Sequence, residues 1–319
     1  MRHTILSLLT VLAFGSAASA EVAYEFAPNF ITPPAGKETI GNGHGEIACD
    51  SAGNFYVSVQ EDNAGIQVYG PDGKFIKALP LPKSLHGFVI RKDEGEEYIF
   101  AAVLGEQKVI KTKLDGSLVM EIPTSSFPAG KAGAKGLKLT NCDIAPNGDI
   151  YVVDGYGQSW IFVFDRAGKF KSVFGDPEEA LKLASAHKIF IDKRFEPARL
   201  LVCDRGNNRM LHLDLEGHLI NVIASEGLRR PSSASFHGDL MCVAEIAGRV
   251  SVWDKEGKQV ASLGVNDTEG QTNTPKVEPK DWQQGTVTSP HGITFDNEGN
   301  ILETEWNLFG RVLRWNKKG

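Results

Sequence analysis

The chain is a succession of short apolar runs separated by polar turns. From Gly45 it reads GEIACDSAGNFYVSVQEDNAGIQVYGPDGKFI, and it ends SPHGITFDNEGNILETEWNLFGRVLRWNKKG. Each stretch has one grammar: a short strand, a turn built on Asn, Asp or Glu with Gly, a second strand, a polar loop, and a third strand. The runs either alternate or are continuously apolar, as strands do when one or both faces are buried. The same grammar returns from His86, Thr140, His187 and Ser232. Internal repetition at this spacing is the signature of a radial or solenoid architecture. Six units of three or four short strands predict an all-β fold, a six-bladed β-propeller. The last unit runs out of chain after a third strand predicted at Arg311–Trp315. The segment EVAYEFAPNF, following residue 20, is expected to supply the missing strand and close the ring, which would hide a sheet edge.

Three stretches fall outside the units: 125–138, 176–185 and 266–288. Asp176-Pro177 reads as the start of a short helix over 176–185. Each stretch precedes the first strand of a unit, so all three are expected on one face of the disc, where function usually gathers. The first twenty residues read as a signal peptide: Arg2, an apolar run Ile5–Phe14, and the small residues Ala18-Ser19-Ala20. Export to the periplasm or medium is the expectation, with a propeller over 21–319. No later run is long and apolar enough for a membrane helix, so no stable membrane insertion is expected.

The 319 residues carry 34 basic and 40 acidic side chains without a basic stripe, which argues against nucleic-acid binding. The chain is expected to act as a monomer on a small-molecule or peptide substrate. Four cysteines (Cys49, Cys142, Cys203 and Cys242) lie in strand-like runs. Two disulfides and four buried thiols are both open readings.

Aligning the units isolates the residue just before each first strand: Gly45, His86, Thr140, His187, Ser232 and His291. Histidine occupies alternate blades, and small residues occupy the others. Inner strands line the bore, and alternate blades are rotated by roughly 120°. Three imidazoles would therefore converge on the axis with a fourth position open, as in catalytic zinc sites. The remaining histidines, among them His44, His212, His218 and His237, read as surface or packing residues. Loops after the second strands share the histidine face and bring Tyr156 and Arg205 over the axis. Asp154, Asp204, Glu245 and Glu305 recur at one place in the units, as do Arg209, Arg249 and Arg311. Recurrence points to structural roles.

The motif DRGNNR (204–209) with PNGDIYVVD (146–154) resembles the NHL repeat. LHGFVI, DGYGQSWIFVF, AHKIFI with VCDRGNNR, and PHGITF together resemble the peptidyl-α-hydroxyglycine α-amidating lyase family. That resemblance implies a zinc held by His86, His187 and His291, with Tyr156 as catalytic base and Arg205 binding substrate or stabilising the base. It implies cleavage of a carbinolamide N–C bond to an amide and glyoxylate. Two positions depart from the family. Gln60 stands where a further functional arginine is expected. Gly292 replaces an aspartate associated with a structural calcium, which argues against that calcium here. The alternative function is a non-enzymatic NHL propeller holding a protein, peptide or glycan on its loop face. A sugar-lactonase-like propeller ranks below both, because those use axial carboxylate and Asn ligands. No G-x-S-x-G elbow supports a serine hydrolase.

Overall fold

The computed structural model describes residues 22–62, 64–131, 136–175 and 181–318. The signal-peptide segment lies outside the described residues. Twenty-four strands form six four-stranded antiparallel sheets. The first strand, β1 (Tyr24–Ala27), belongs to the last blade. Blade one is β2 (Ile47–Cys49), β3 (Phe55–Ser58), β4 (Ile66–Tyr69) and β5 (Phe75–Leu79). Blade two is β6 (Leu85–Asp93), β7 (Glu96–Val103), β8 (Lys108–Lys113) and β9 (Leu118–Ile122). Blade three is β10 (Asn141–Ile144), β11 (Ile150–Val153), β12 (Ile161–Phe164) and β13 (Phe170–Phe174). Blade four is β14 (Ala186–Asp192), β15 (Arg199–Asp204), β16 (Arg209–Leu213) and β17 (Leu219–Ala224). Blade five is β18 (Pro231–His237), β19 (Leu240–Glu245), β20 (Arg249–Trp253) and β21 (Gln259–Leu263). Blade six is β22 (Pro290–Phe295), β23 (Ile301–Glu305), β24 (Val312–Lys317) and β1.

The ring closes as expected. Strand β1 lies antiparallel to β24, with Tyr24 opposite Lys317 and Phe26 opposite Trp315. The Phe26 and Trp315 rings stand 6.0 Å apart. The third strand of the last blade begins at Val312 and runs on to Lys317, because β1 continues its ladder past Trp315.

Side chains between blades form the core. The largest cluster runs through blades two to five and includes Phe100, Phe162, Phe164, Phe190, Met210, Met241 and Trp253. Strands buried on both faces explain the continuous apolar runs. The turns between third and fourth strands are set by aspartates. Asp165 Oδ1 accepts the amides of Ala167 and Lys169, and Asp214 Oδ1 those of Glu216 and His218. Such side-chain acceptors bend the chain where no ladder partner exists.

Four inner strands carry a bulge at the position singled out in the sequence. Register shifts occur between Leu85 and Gly87, Ala186 and Lys188, Pro231 and Ser233, and Pro290 and Gly292. The extra residues are His86, His187, Ser232 and His291. A bulge leaves one residue outside the alternation and re-aims its side chain.

One expectation changes, and one open reading is decided. Residues 181–185 are a turn and irregular backbone, not helix, and 176–180 lie outside the described residues. All four cysteines are free thiols; Cys142, Cys203 and Cys242 are buried and Cys49 is half-buried. The three loops do reach the histidine face, through Lys138, Ala184 and Asn273.

Since β1 covers an otherwise open edge, Phe26→Ala should lower unfolding stability by roughly 1–3 kcal/mol and promote self-association. Urea denaturation with light scattering checks this; an unchanged midpoint would show that closure is not carried by this contact.

Candidate metal and active site

The three expected histidines meet at the axis. His86, His187 and His291 are at most 1% exposed. Their ring centroids form a near-equilateral triangle with sides of 5.1, 4.9 and 4.7 Å, and their planes stand 81–90° apart. Each Nδ1 meets the backbone carbonyl of the next blade's first-strand anchor. His86 reaches Thr140 O at 2.8 Å, His187 reaches Ser232 O at 2.7 Å, and His291 reaches Gly45 O at 2.7 Å. A carbonyl only accepts, so each Nδ1 carries the proton and each Nε2 presents a lone pair. Burial holds all three imidazoles well below the ordinary pKa, so they are neutral at pH 7. Neutral imidazoles with Nδ1–H tied to a carbonyl are the form that binds metals.

Tyr156 Oη sits over this cluster, 3.1 Å from His86 Nε2 and 3.0 Å from His187 Nε2. Its loop is tightly specified. Asp154 Oδ2 accepts the Gln158 amide at 2.8 Å, Oδ1 accepts the Lys138 amide, and Tyr156 N–H donates to Lys138 O. A Cβ on Gly155 would lie 2.3 Å from Thr140 Oγ1, and one on Gly157 would lie 2.1 Å from the Asp154 carboxylate. The D-G-Y-G sequence is therefore what lets the tyrosine approach the axis.

Arg205 opens a 3-10 turn, Arg205–Asn207, held by Gly206 N–H on Ala184 O at 2.7 Å. It is 9% exposed, its Cζ is 5.2 Å from the Tyr156 ring centroid, and its Nε has no partner. Burial pushes the Tyr156 phenol above its ordinary value, and the Arg205 charge pulls it the other way without prevailing. The Arg205 charge and a hydrogen bond from Arg205 both favour the phenolate, and a further cation beside the hydroxyl would add to them.

His44 was missed. It reads as a surface or packing residue in the sequence, yet its ring is 4.9 Å from those of both His86 and His291. Its Nε2 lies 3.4 Å from Tyr156 Oη. Gln60 Nε2 is 3.3 Å from His44 Nδ1, so the residue standing in place of the family's arginine orients a fourth imidazole. Ligand atoms of His44, His86 and His291 lie within 4.8 Å of one another, and His187 is not in that set, so among the described residues the possible metal-holding triad has His44 where His187 was expected. Burial, then the charges of Lys188 and Arg205, lower the His44 pKa to about 4. His44 stands one residue before the Gly45 anchor. The pairing of Gly43 with Asn307 and the bonds of Gly41 to Phe309 and of Gln60 to Asn42 carry it over the bore.

Counting protons tests whether a cation fits. The Nε2 lone pairs of His86, His187 and His291 face inward, and a phenol has one proton to donate. His291 Nε2 is buried without a partner. A site with more acceptors than donors, all of them imidazole nitrogen, fits a divalent transition metal.

One residue further down the bore, Lys188 and Glu46 form a buried ion pair at 2.8 Å. Lys188 Nζ also donates to His291 O at 3.0 Å and Gly45 O at 3.2 Å, using all three protons. Glu46 accepts from Ser233 Oγ and from the amides of Ile47 and Ile293. This oxygen set would suit a hard cation, and here an ammonium fills it. Gly292 packs on the same residue: a Cβ there would lie 2.6 Å from Glu46 Oε1. No aspartate fits that position.

Charges expected to be structural are structural. Arg209 pairs with Asp204 at 2.7 Å, and Arg249 with Glu245 and Arg311 with Glu305 at 2.8 Å. His212 is a packing residue on Asp192 at 3.0 Å, and His218 is exposed beside Asp214. Above the histidines opens a cleft of about 370 Å³, lined by His44, Tyr156, Arg205, Arg230, Ile246, Asn273 and Trp306. It contains two cations and no carboxylate.

A six-bladed propeller with imidazoles on its axis is thus the class that fold and site define. The chain is 26% identical over 165 residues to peptidyl-alpha-hydroxyglycine alpha-amidating lyase 2 of Drosophila melanogaster. The match covers 52% of this chain and 38% of that protein. No protein-family signature matches. Among solved structures, a streptogramin B lyase superposes with TM-score 0.59 at 16% identity, covering 94% of this chain and 100% of that one. A gluconolactonase from Xanthomonas campestris gives 0.60 at 13% identity, over 88% of this chain and 89% of its own. These superpositions establish the fold.

Two outcomes follow. Lys188→Met strands the Glu46 carboxylate and should cost about 3–5 kcal/mol in urea unfolding, with part regained in the double variant Glu46→Gln, Lys188→Met. The buried imidazoles stay neutral where the unfolded chain's, with pKa ≈ 6.5, take up protons. Folded pKa values are depressed, so stability present above about pH 6.5 should fall as pH drops toward the His44 value near 4. Urea midpoints in chelator from pH 7.5 to 5 should show this. The slope should be shallower in His44→Gln; equal slopes would contradict the burial argument.

Proposed function

We propose that the chain is a metal-dependent carbon–nitrogen lyase that cleaves a peptidyl-α-hydroxyglycine into a peptide amide and glyoxylate. The observation that carries this is the surplus of inward imidazole lone pairs around the single hydroxyl of Tyr156. The name of the Drosophila relative supports the substrate class.

His86 and His291 would hold the metal through Nε2, with His187 or His44, whose ligand atom lies within 4.8 Å of theirs, as the third imidazole, and zinc suits such a set. When bound, the ion supplies Lewis-acid charge that lowers the pKa of a substrate hydroxyl beside it. Tyr156 Oη accepts the hydroxyl proton. The electron pair left on oxygen forms the aldehyde C=O as the C–N bond breaks. The amide nitrogen leaves with that bonding pair and takes up one proton, so no co-reactant is consumed. Arg205 receives the glycine carboxylate with two hydrogen bonds. Its buried Nε has no partner. Ile246 and Trp306 cover the reacting end and limit water. A lactonase reading calls for axial carboxylate ligands; the cleft has none, and Glu46 is committed to Lys188.

Purified chain loaded with zinc should release glyoxylate from a peptidyl-α-hydroxyglycine, and chelation should stop it. Tyr156→Phe should lower kcat by on the order of 10²-fold or more with metal content retained. Absence of glyoxylate from zinc-loaded protein would remove the reaction.

A further inference from the structure

Arg205 is not the only cation of the cleft without a counter-ion. Arg230 lines the same cavity, is exposed, and makes no side-chain hydrogen bond or ion pair among the described residues. Its neighbour Arg229 is accounted for by Asp267 at 2.7 Å. The four recurring carboxylates on this face are each committed: Asp204 to Arg209, Glu245 to Arg249, Glu305 to Arg311, and Asp154 to the backbone amides of Lys138 and Gln158. None is left for Arg205 or Arg230.

The backbone of Arg230 is also fixed in a conformation that side chains disfavour, with φ +60°. Its N–H donates to Asn208 Oδ1 at 2.6 Å and its carbonyl accepts the Ile246 amide at 3.1 Å. Asn208 is itself tied to Leu228 O at 2.7 Å. Blades four and five thus clamp the base of this side chain. A non-glycine residue is disfavoured in this region and persists only where the surroundings impose it.

Two cations and no acid in one cleft, one cation buried beside Tyr156 and one at the rim, match a ligand with two separated negative charges. We infer that the substrates of this site are dianionic acyl-glycines: Arg205 takes the glycine carboxylate, and Arg230 reads a second anion on the acyl side, as in an acidic peptide end. The inference takes from the proposed function only the placement of the glycine carboxylate at Arg205.

Equilibrium binding by calorimetry with two unreactive probes tests it without turnover. N-succinylglycine, with two carboxylates, should bind the zinc-loaded chain on the order of 10-fold tighter than N-acetylglycine at low salt, and added salt should narrow the gap. Arg230→Gln should abolish the preference while keeping N-acetylglycine binding. Equal affinities in the unaltered protein, a preference that survives Arg230→Gln, or no binding of either probe would overturn it. A chain that prefers the dianion yet releases no glyoxylate would overturn the reaction and leave this assignment standing.

Discussion

Three hydrogen bonds, from an imidazole Nδ1–H to the backbone carbonyl of the neighbouring blade, underlie both the shape of the bore and its chemistry. They join blade two to three, four to five, and six to one. The acceptors are Thr140, Ser232 and Gly45. Histidine and small residue therefore alternate for one reason: each imidazole needs a neighbour that offers a carbonyl without a side chain in its way. A histidine that caps a strand and a histidine that points at a metal are usually competing readings. Here the two ring nitrogens do one job each.

The cost of this arrangement is desolvation. Four imidazoles, an arginine, a lysine and a glutamate are withdrawn from water within a few residues of the axis. The fold meets the cost by completing hydrogen bonds in the lower layer, where Lys188 and Glu46 satisfy each other and the backbone carbonyls of the ligand strands. Gly45 O accepts from both His291 and Lys188, so the ion pair and the imidazole ring are mechanically linked. The upper layer is left incomplete, with His291 Nε2 and Arg205 Nε unpartnered. Unpartnered buried nitrogens on the histidine side of the bore mark where a ligand would belong.

Much of this was legible in the chain. The repeat grammar located six blades, the strand that closes the ring, the three axial histidines and the D-G-Y-G loop, because each depends on local pattern and blade order. His44 escaped because it lies one residue before its anchor and is carried inward by a bridge to Asn307, far along the chain. Lys188 and Glu46 escaped because their blades face each other across the bore, and neither residue has a local cue. Arg230 escaped because its significance is the absence of a partner, which a sequence does not display. The cysteines stay thiols because their strands bury them singly; burial pushes Cys203 up to about 12, and such thiols behave as small hydrophobes.

The state of Tyr156 joins these strands of argument. A phenol in this pocket is pushed toward its neutral form by burial, and one guanidinium over its ring is insufficient to reverse that. Acting as a base requires a second positive charge on the opposite side of the hydroxyl. The only groups there are imidazoles that burial keeps uncharged. Protonating them would supply the charge but destroy the lone pairs that face Oη. On the proposed reading a metal ion would supply the charge and use the lone pairs. On that reading, ionisation of Tyr156 would be conditional on cation binding, which would confine proton transfer to the loaded protein.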